Sequence, residues 1–122
     1  PINKKIAAED VFNNIPTWLG LNSTSQAITG DGSTSTAIEI TNPVTEVNAT
    51  SAAAPCTLAD GANGQIKTII NVSTAGSNDI VITPSNLRGG TTITLNAVGE
   101  TVTLIFKNSN WNVIGGFGFA VA

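Results

Sequence analysis

Apolar and polar positions change their rhythm once along the chain. Over Lys4-Lys5-Ile6-Ala7-Ala8-Glu9-Asp10-Val11-Phe12-Asn13-Asn14 the apolar positions Ala7, Val11 and Ile15 recur every fourth residue, with Ala8 and Phe12 beside them. That spacing predicts a helix of about three turns, stopped at Pro16 and too short to be stable alone in water. An apolar knot, Trp18-Leu19-Gly20-Leu21, follows. Residues 22–36 are mostly Asn, Ser, Thr, Gln and Gly around the turn signal Gly30-Asp31-Gly32-Ser33, and read as a linker or long loop.

From about residue 36 the rhythm is that of strands and turns. Strands are expected at Ala37–Thr41, Val44–Val47, Ala52–Leu58, Gln65–Val72, Asp79–Thr83, Thr91–Asn96, Thr101–Phe106 and Trp111–Ile114. Gly, Asn and Pro punctuate them, and Asn108-Ser109-Asn110 makes a tight turn. Short strands at regular spacing predict an all-β domain, a small antiparallel sandwich or barrel over 36–122, preceded by an arm and linker over 1–35 that contains the short helix. No strict internal repeat is visible.

Composition sharpens this picture. Of 122 residues, 17 are Thr, 9 Ser and 14 Asn, while only 11% are charged, less than half the usual share of about 25%. Ile, Val and Thr make up 40 residues, which favours strands because branched side chains suit a pleated surface. Strand faces that carry Thr and Asn instead of Lys and Glu suit packing against copies of the same chain, where unpaired charge is costly to bury. The tail, Gly115-Gly116-Phe117-Gly118-Phe119-Ala120-Val121-Ala122, sets two Phe among glycines. They serve either a self-association seam or a last strand folded over its own domain.

Candidate chemistry is sparse. There is no His and one Cys, Cys56, which excludes His-based triads and metal sites, an intrachain disulfide and a CxxC zinc site. A net charge of −3 argues against a nucleic-acid partner. No apolar run approaches the roughly 20 residues that span a membrane, and no apolar leader core follows the N-terminal residues. The acids Glu9, Asp10, Asp31, Glu39, Glu46, Asp60, Asp79 and Glu100 form no catalytic pair or motif. Asp31-Gly32 and Asp60-Gly61 resemble fragments of calcium loops, but Ala62 stands where a second ligand belongs, so both read as turns. Lys67 and Lys107 could activate a Ser in principle, though no motif supports it. Cys56 reads as a buried structural thiol. Asn22, Asn48 and Asn71 begin chance matches to the glycosylation sequon. The expectation is a protein with no enzymatic activity, no cofactor and no metal. Trp111, flanked by Asn108, Asn110 and Asn112, has two readings: a sugar-stacking platform, or a core residue opposite Val102 or Leu104.

One resemblance emerges. Thr57-Leu58-Ala59-Asp60-Gly61-Ala62-Asn63-Gly64-Gln65-Ile66-Lys67-Thr68-Ile69 resembles an LPDG-x-x-GQ-x-K-x-I pattern of tailed-phage virion proteins. Its companions are Ile82-Thr83-Pro84, Gly90–Leu95, Val98–Leu104 and Asn110–Gly115. The ordered set is similar to capsid decoration (cement) proteins and to some fibre-tip domains, covers roughly 50–118, and departs from the pattern at Ala59, where Pro is common. The resemblance implies a homotrimeric all-β knob on the head surface of a virion, with no catalytic residues to carry over. The partners expected on that basis are the major capsid protein and the chain itself, with no nucleic acid and no membrane. The arm would dock through Ile6, Val11, Phe12, Trp18 and Leu19, and Phe117 and Phe119 would serve self-association. The alternative is a fibre or receptor-binding module that recognises a host surface glycan through Asn110, Trp111 and Asn112.

Overall fold

The computed structural model describes residues 7–8, 25–74 and 79–122. The predicted helix, apart from residues 7 and 8, and all five arm residues named above (Ile6, Val11, Phe12, Trp18 and Leu19) lie outside the described residues. The rest is a two-layer β structure of ten strands: β1 (Gln26–Gly30), β2 (Thr36–Ile38), β3 (Val44–Ala49), β4 (Ala54–Leu58), β5 (Ile66–Asn71), β6 (Ile80–Pro84), β7 (Ile93–Leu95), β8 (Thr101–Lys107), β9 (Asn110–Phe117) and β10 (Ala120–Val121).

The expected strands are present, but their pairing is not that of an antiparallel sandwich or a barrel. Two five-stranded mixed sheets form, one in the order β1-β3-β5-β8-β9 and the other β10-β7-β6-β4-β2. β1, β3 and β5 run parallel in the first sheet, and β2, β4 and β6 run parallel in the second. From β1 to β6 the chain changes sheet at every connection, so it winds through three coils. Matched positions in successive coils lie about 20–25 residues apart, the spacing of a solenoid repeat. β7 to β10 then pair antiparallel and close that end. Turn signals between short strands suggested hairpins, but most of these turns carry the chain across to the other sheet.

β1 is a further difference. It lies inside the stretch read as a linker, and the β structure begins at Gln26 instead of near residue 36. The tail supplies β10, which pairs with β7 as a last strand.

Alternation sets the core. In β8 the side chains of Val102, Leu104 and Phe106 are buried, and the residues between them are only partly so. Ile28, Val47 and Ile69 join them from the first sheet, facing Ile38, Leu58, Ile80, Ile82, Ile93 and Leu95 from the second. Cys56 lies among them as a buried free thiol, and burial pushes it up to about 11. The two layers approach closely at Gly30, where an added Cβ would stand 2.7 Å from that of Ala54.

The turn between β8 and β9 holds Asn108 at φ 52° and Ser109 at φ 60°. Two successive left-handed residues define the hairpin turn that favours Asn-Gly, and Ser carries a Cβ where Gly has none. Ser109→Gly is therefore expected to stabilise the domain by about 0.5–1 kcal/mol, read as a higher urea midpoint with an unchanged slope.

Candidate functional site

Three pieces of the virion-protein resemblance, the DG turn, the start of β5 and Trp111, are distant in sequence and meet in the fold. The connection from β4 to β5 contains Asp60, whose carboxylate accepts from Asn86 Nδ2 at 2.8 and 3.1 Å. Gly61 follows against the indole of Trp111. A Cβ there would stand 3.0 Å from two ring carbons and 2.5 Å from Gln65 Oε1, so only hydrogen fits. The Gly64 N–H donates to the Phe106 carbonyl, and the Phe106 N–H donates to that of Gln65. The DG turn is thereby fastened to β8.

Gln65 and Lys67 face inward from the start of β5, and each reaches the connection between β2 and β3. Gln65 Oε1 accepts from the Ala62 N–H at 2.9 Å, and its Nε2 donates to the Ile40 carbonyl. Lys67 is 0% exposed, and its Nζ donates to the Glu39 carbonyl at 2.9 Å and the Asn42 carbonyl at 2.6 Å. Gln26 completes the set. Its Nε2 donates to the Ala37 carbonyl, while its Oε1 accepts from the Glu39 N–H and the Thr45 hydroxyl. Three side chains thus bond the backbone of β2 and of the irregular turn that follows it, where part-buried carbonyls need donors.

The chemistry of this cluster is that of a clasp. Burial pushes the Lys67 ammonium down to about 8, with the Glu39 carboxylate opposing the shift. Its partners among the described residues are turn carbonyls. Asp31 likewise serves its own turn: Oδ1 accepts from the Ser33 hydroxyl and N–H, which lowers its pKa. Among the described residues no group of three or more His, Cys, Asp and Glu could hold a metal ion, and no helix is long and apolar enough to cross a membrane.

Trp111 decides between its two readings. It is 0% exposed, edge-on to Phe106 at 5.2 Å between centroids, with Nε1 donating 2.9 Å to the Ala59 carbonyl. A ring buried on both faces offers no surface for a sugar, which corrects the stacking-platform reading. The flanking amides are engaged as well. Asn110 Nδ2 donates to the Asn108 carbonyl, and Asn112 Nδ2 to the Asn110 carbonyl. Asn112 Oδ1 accepts from Arg88 Nε at 2.9 Å.

The two tail phenylalanines part company. Phe117 is 71% exposed, whereas Phe119 packs half-buried against the core. Ile114 and Val121 are also exposed and belong to β9 and β10, the strands that end the two sheets on that side. Of the sequons, Asn71 is buried, with Nδ2 donating to the Leu95 carbonyl and Oδ1 accepting from the Ser73 N–H. Sequence reasoning missed Gln26. An isolated Gln in a polar stretch carries no signal until the strand that holds it is known.

No family model and no curated protein sequence matches the chain.

Proposed function

We propose that the chain is a non-enzymatic structural protein of a tailed-phage virion, a cement or decoration protein that binds the head shell and stabilises it. The observation that carries this reading is the neutrality of the sheet surfaces. The outward positions of the second sheet, among them Ala37, Pro55, Thr57, Val81, Thr83 and Thr94, include no charge. Those of β1, β3, β5 and β8 in the first sheet are Thr, Ile, Val, Ala and Asn apart from Glu46 and, at the end of β8, Lys107. Surfaces of this kind lose little when a neighbouring protein covers them. The rigid clasp at the motif residues supports the same reading, since a clamp between capsomers needs a body that does not yield. In this proposal the arm docks on the major capsid protein through Ile6, Val11, Phe12, Trp18 and Leu19, and exposed Phe117 contributes to a homotrimer seam on a symmetry axis.

Copy number tests it. Gel densitometry of purified particles should give a ratio to the major capsid protein that matches the symmetry sites of the shell. A handful of copies per particle, or none, overturns the head assignment. In the same assay a chain lacking residues 1–21 should stay folded and fail to bind the shell.

A further inference from the structure

The two ends of the sandwich are finished differently. At one end β9 carries a bulge opposite Thr103/Leu104. Its Trp111 is covered by the neighbouring segment, since the Trp111 N–H donates to the Asn86 carbonyl and the Arg88 N–H to the Trp111 carbonyl. β10 beside it is two residues long. Bulges, covering segments and short strands stop a sheet edge from pairing with another chain.

At the opposite end, among the described residues, β1 is the outermost strand of its sheet and β2 of the other. β1 is five residues long, and neither strand contains a charge, a proline or a bulge. The Gly30 carbonyl accepts from the Thr50 N–H on the β3 side. Backbone direction alternates along a strand, so Ala27 and Thr29 turn their N–H and C=O groups to the outer side. The edge is also held in place, because Gln26 ties β1 to β3 and to the turn after β2.

We propose that the β1/β2 end is a two-fold contact surface, occupied by the same end of a second copy of this chain. Sheet geometry and charge both select a copy. The end presents one edge per sheet, and a single extended peptide can extend only one of them. The same end of a second copy brings β1 against β1 and β2 against β2, and continues both sheets across the axis. Charge favours a copy as well. Asp31 directly follows β1 and Glu39 directly follows β2. Antiparallel pairing about a two-fold sets each acid beside the uncharged start of the partner strand and away from its own counterpart, so no like charges meet. The inference rests on the fold and goes beyond the function proposed above; on a shell, this contact joins neighbouring knobs.

The test uses the full chain and two substitutions. Ala27→Pro deletes an outward N–H at an edge position that proline tolerates. Thr29→Lys places a charge on the outer face of the same edge. Light scattering coupled to gel filtration should give the wild type a mass that is an even multiple of the chain mass. Each substitution should lower that mass twofold while the circular dichroism spectrum stays that of the wild type, whereas Phe117→Ser should leave this contact intact. Hydrogen exchange should find the Ala27 and Thr29 amides protected in the wild type and exchanging freely in Thr29→Lys. Equal masses for the wild type and both variants overturn the proposal. If in that case Ala27→Pro also lowers the melting temperature, the occupant of the edge is the chain's own preceding segment. If it does not, the edge faces solvent. A mass that falls only in Phe117→Ser places self-association at the other end and overturns the proposal as well.

Discussion

Trp111→Ala is expected to lower the stability of the domain by about 3–5 kcal/mol, a large part of the roughly 5–15 kcal/mol that holds a domain of this size folded. The ring is fully buried and fills the space between Phe106 and the turn at Gly61. Its removal leaves a cavity bounded by a glycine that has no side chain to collapse into it. It also withdraws the indole donor from the Ala59 carbonyl, and with it the link that fastens the DG turn to β9. Trp111→Phe separates these contributions. Most of the aromatic packing remains while the donor is lost, and the expected cost falls to about 1–2 kcal/mol. Urea denaturation followed by far-ultraviolet circular dichroism, at one fixed protein concentration, measures both. A cost below 1 kcal/mol for Trp111→Ala would show that the turn holds without the ring.

Lys67→Met should cost about 1–3 kcal/mol at neutral pH, the penalty of taking a charged donor from two part-buried acceptors. Methionine keeps the apolar stem but leaves the Glu39 and Asn42 carbonyls without the ammonium they share. The desolvation of a buried cation works in the opposite direction, because the substitution removes it. Two hydrogen bonds to one charged donor should outweigh that relief, so the expected sign is destabilising.

The pH dependence provides a second readout. Burial holds the Lys67 pKa at about 8, against an ordinary value of 10.5. Between those values the unfolded chain binds the extra proton, so this group makes stability rise with pH across that window. Cys56 acts in the other direction, since its thiol is pushed from 9.0 to about 11 and the unfolded chain loses that proton first. Its contribution therefore falls from about pH 9 to 11. The cleanest interval for Lys67 lies between pH 8 and 9. Cys56 is common to wild type and Lys67→Met, so the difference between their stability curves isolates the lysine. That difference should widen with rising pH, and a constant gap from pH 7 to 10 would show that the folded chain keeps its proton.

Much of the β domain is legible along the chain, and the reason is local. β8 announces itself through Val102, Leu104 and Phe106 alternating with Thr101, Thr103 and Ile105, and all three of the first set are buried. The turn at Asn108-Ser109 is equally readable, because two small polar residues between alternating runs leave few ways to reverse the chain. β1 is not legible. Between Ser25 and Gly30 only Ile28 carries a large apolar side chain, and one buried residue does not make a period. β5 misleads in a different way. Its aliphatic residues Ile66 and Ile70 face outward, while Gln65, Lys67 and Asn71 face inward with Ile69. Hydrophobicity alone would shift the strand by one residue and reverse every side chain. The inward lysine makes sense only beside the turn carbonyls that receive it.

The sequence by itself determined that the chain is nearly all β from the middle to the end, where most of its strands lie, and that Trp111 could lie inside opposite Val102 or Leu104. It also brought the DG turn, the GQ-x-K strand and the Trp111 strand to notice as a set. Tertiary structure alone decided that the strands coil between two sheets, that most of the expected hairpins are crossings, and that Gln65 and Lys67 of the motif form a clasp on the connection from β2 to β3. The physical reason is the range of each signal. Side-chain period records which way a residue faces and is written within a few neighbouring positions. The identity of the strand alongside is set by the sum of pairings along the whole sheet. In a parallel coil that neighbour lies about 20–25 residues away, with no turn of its own to mark it.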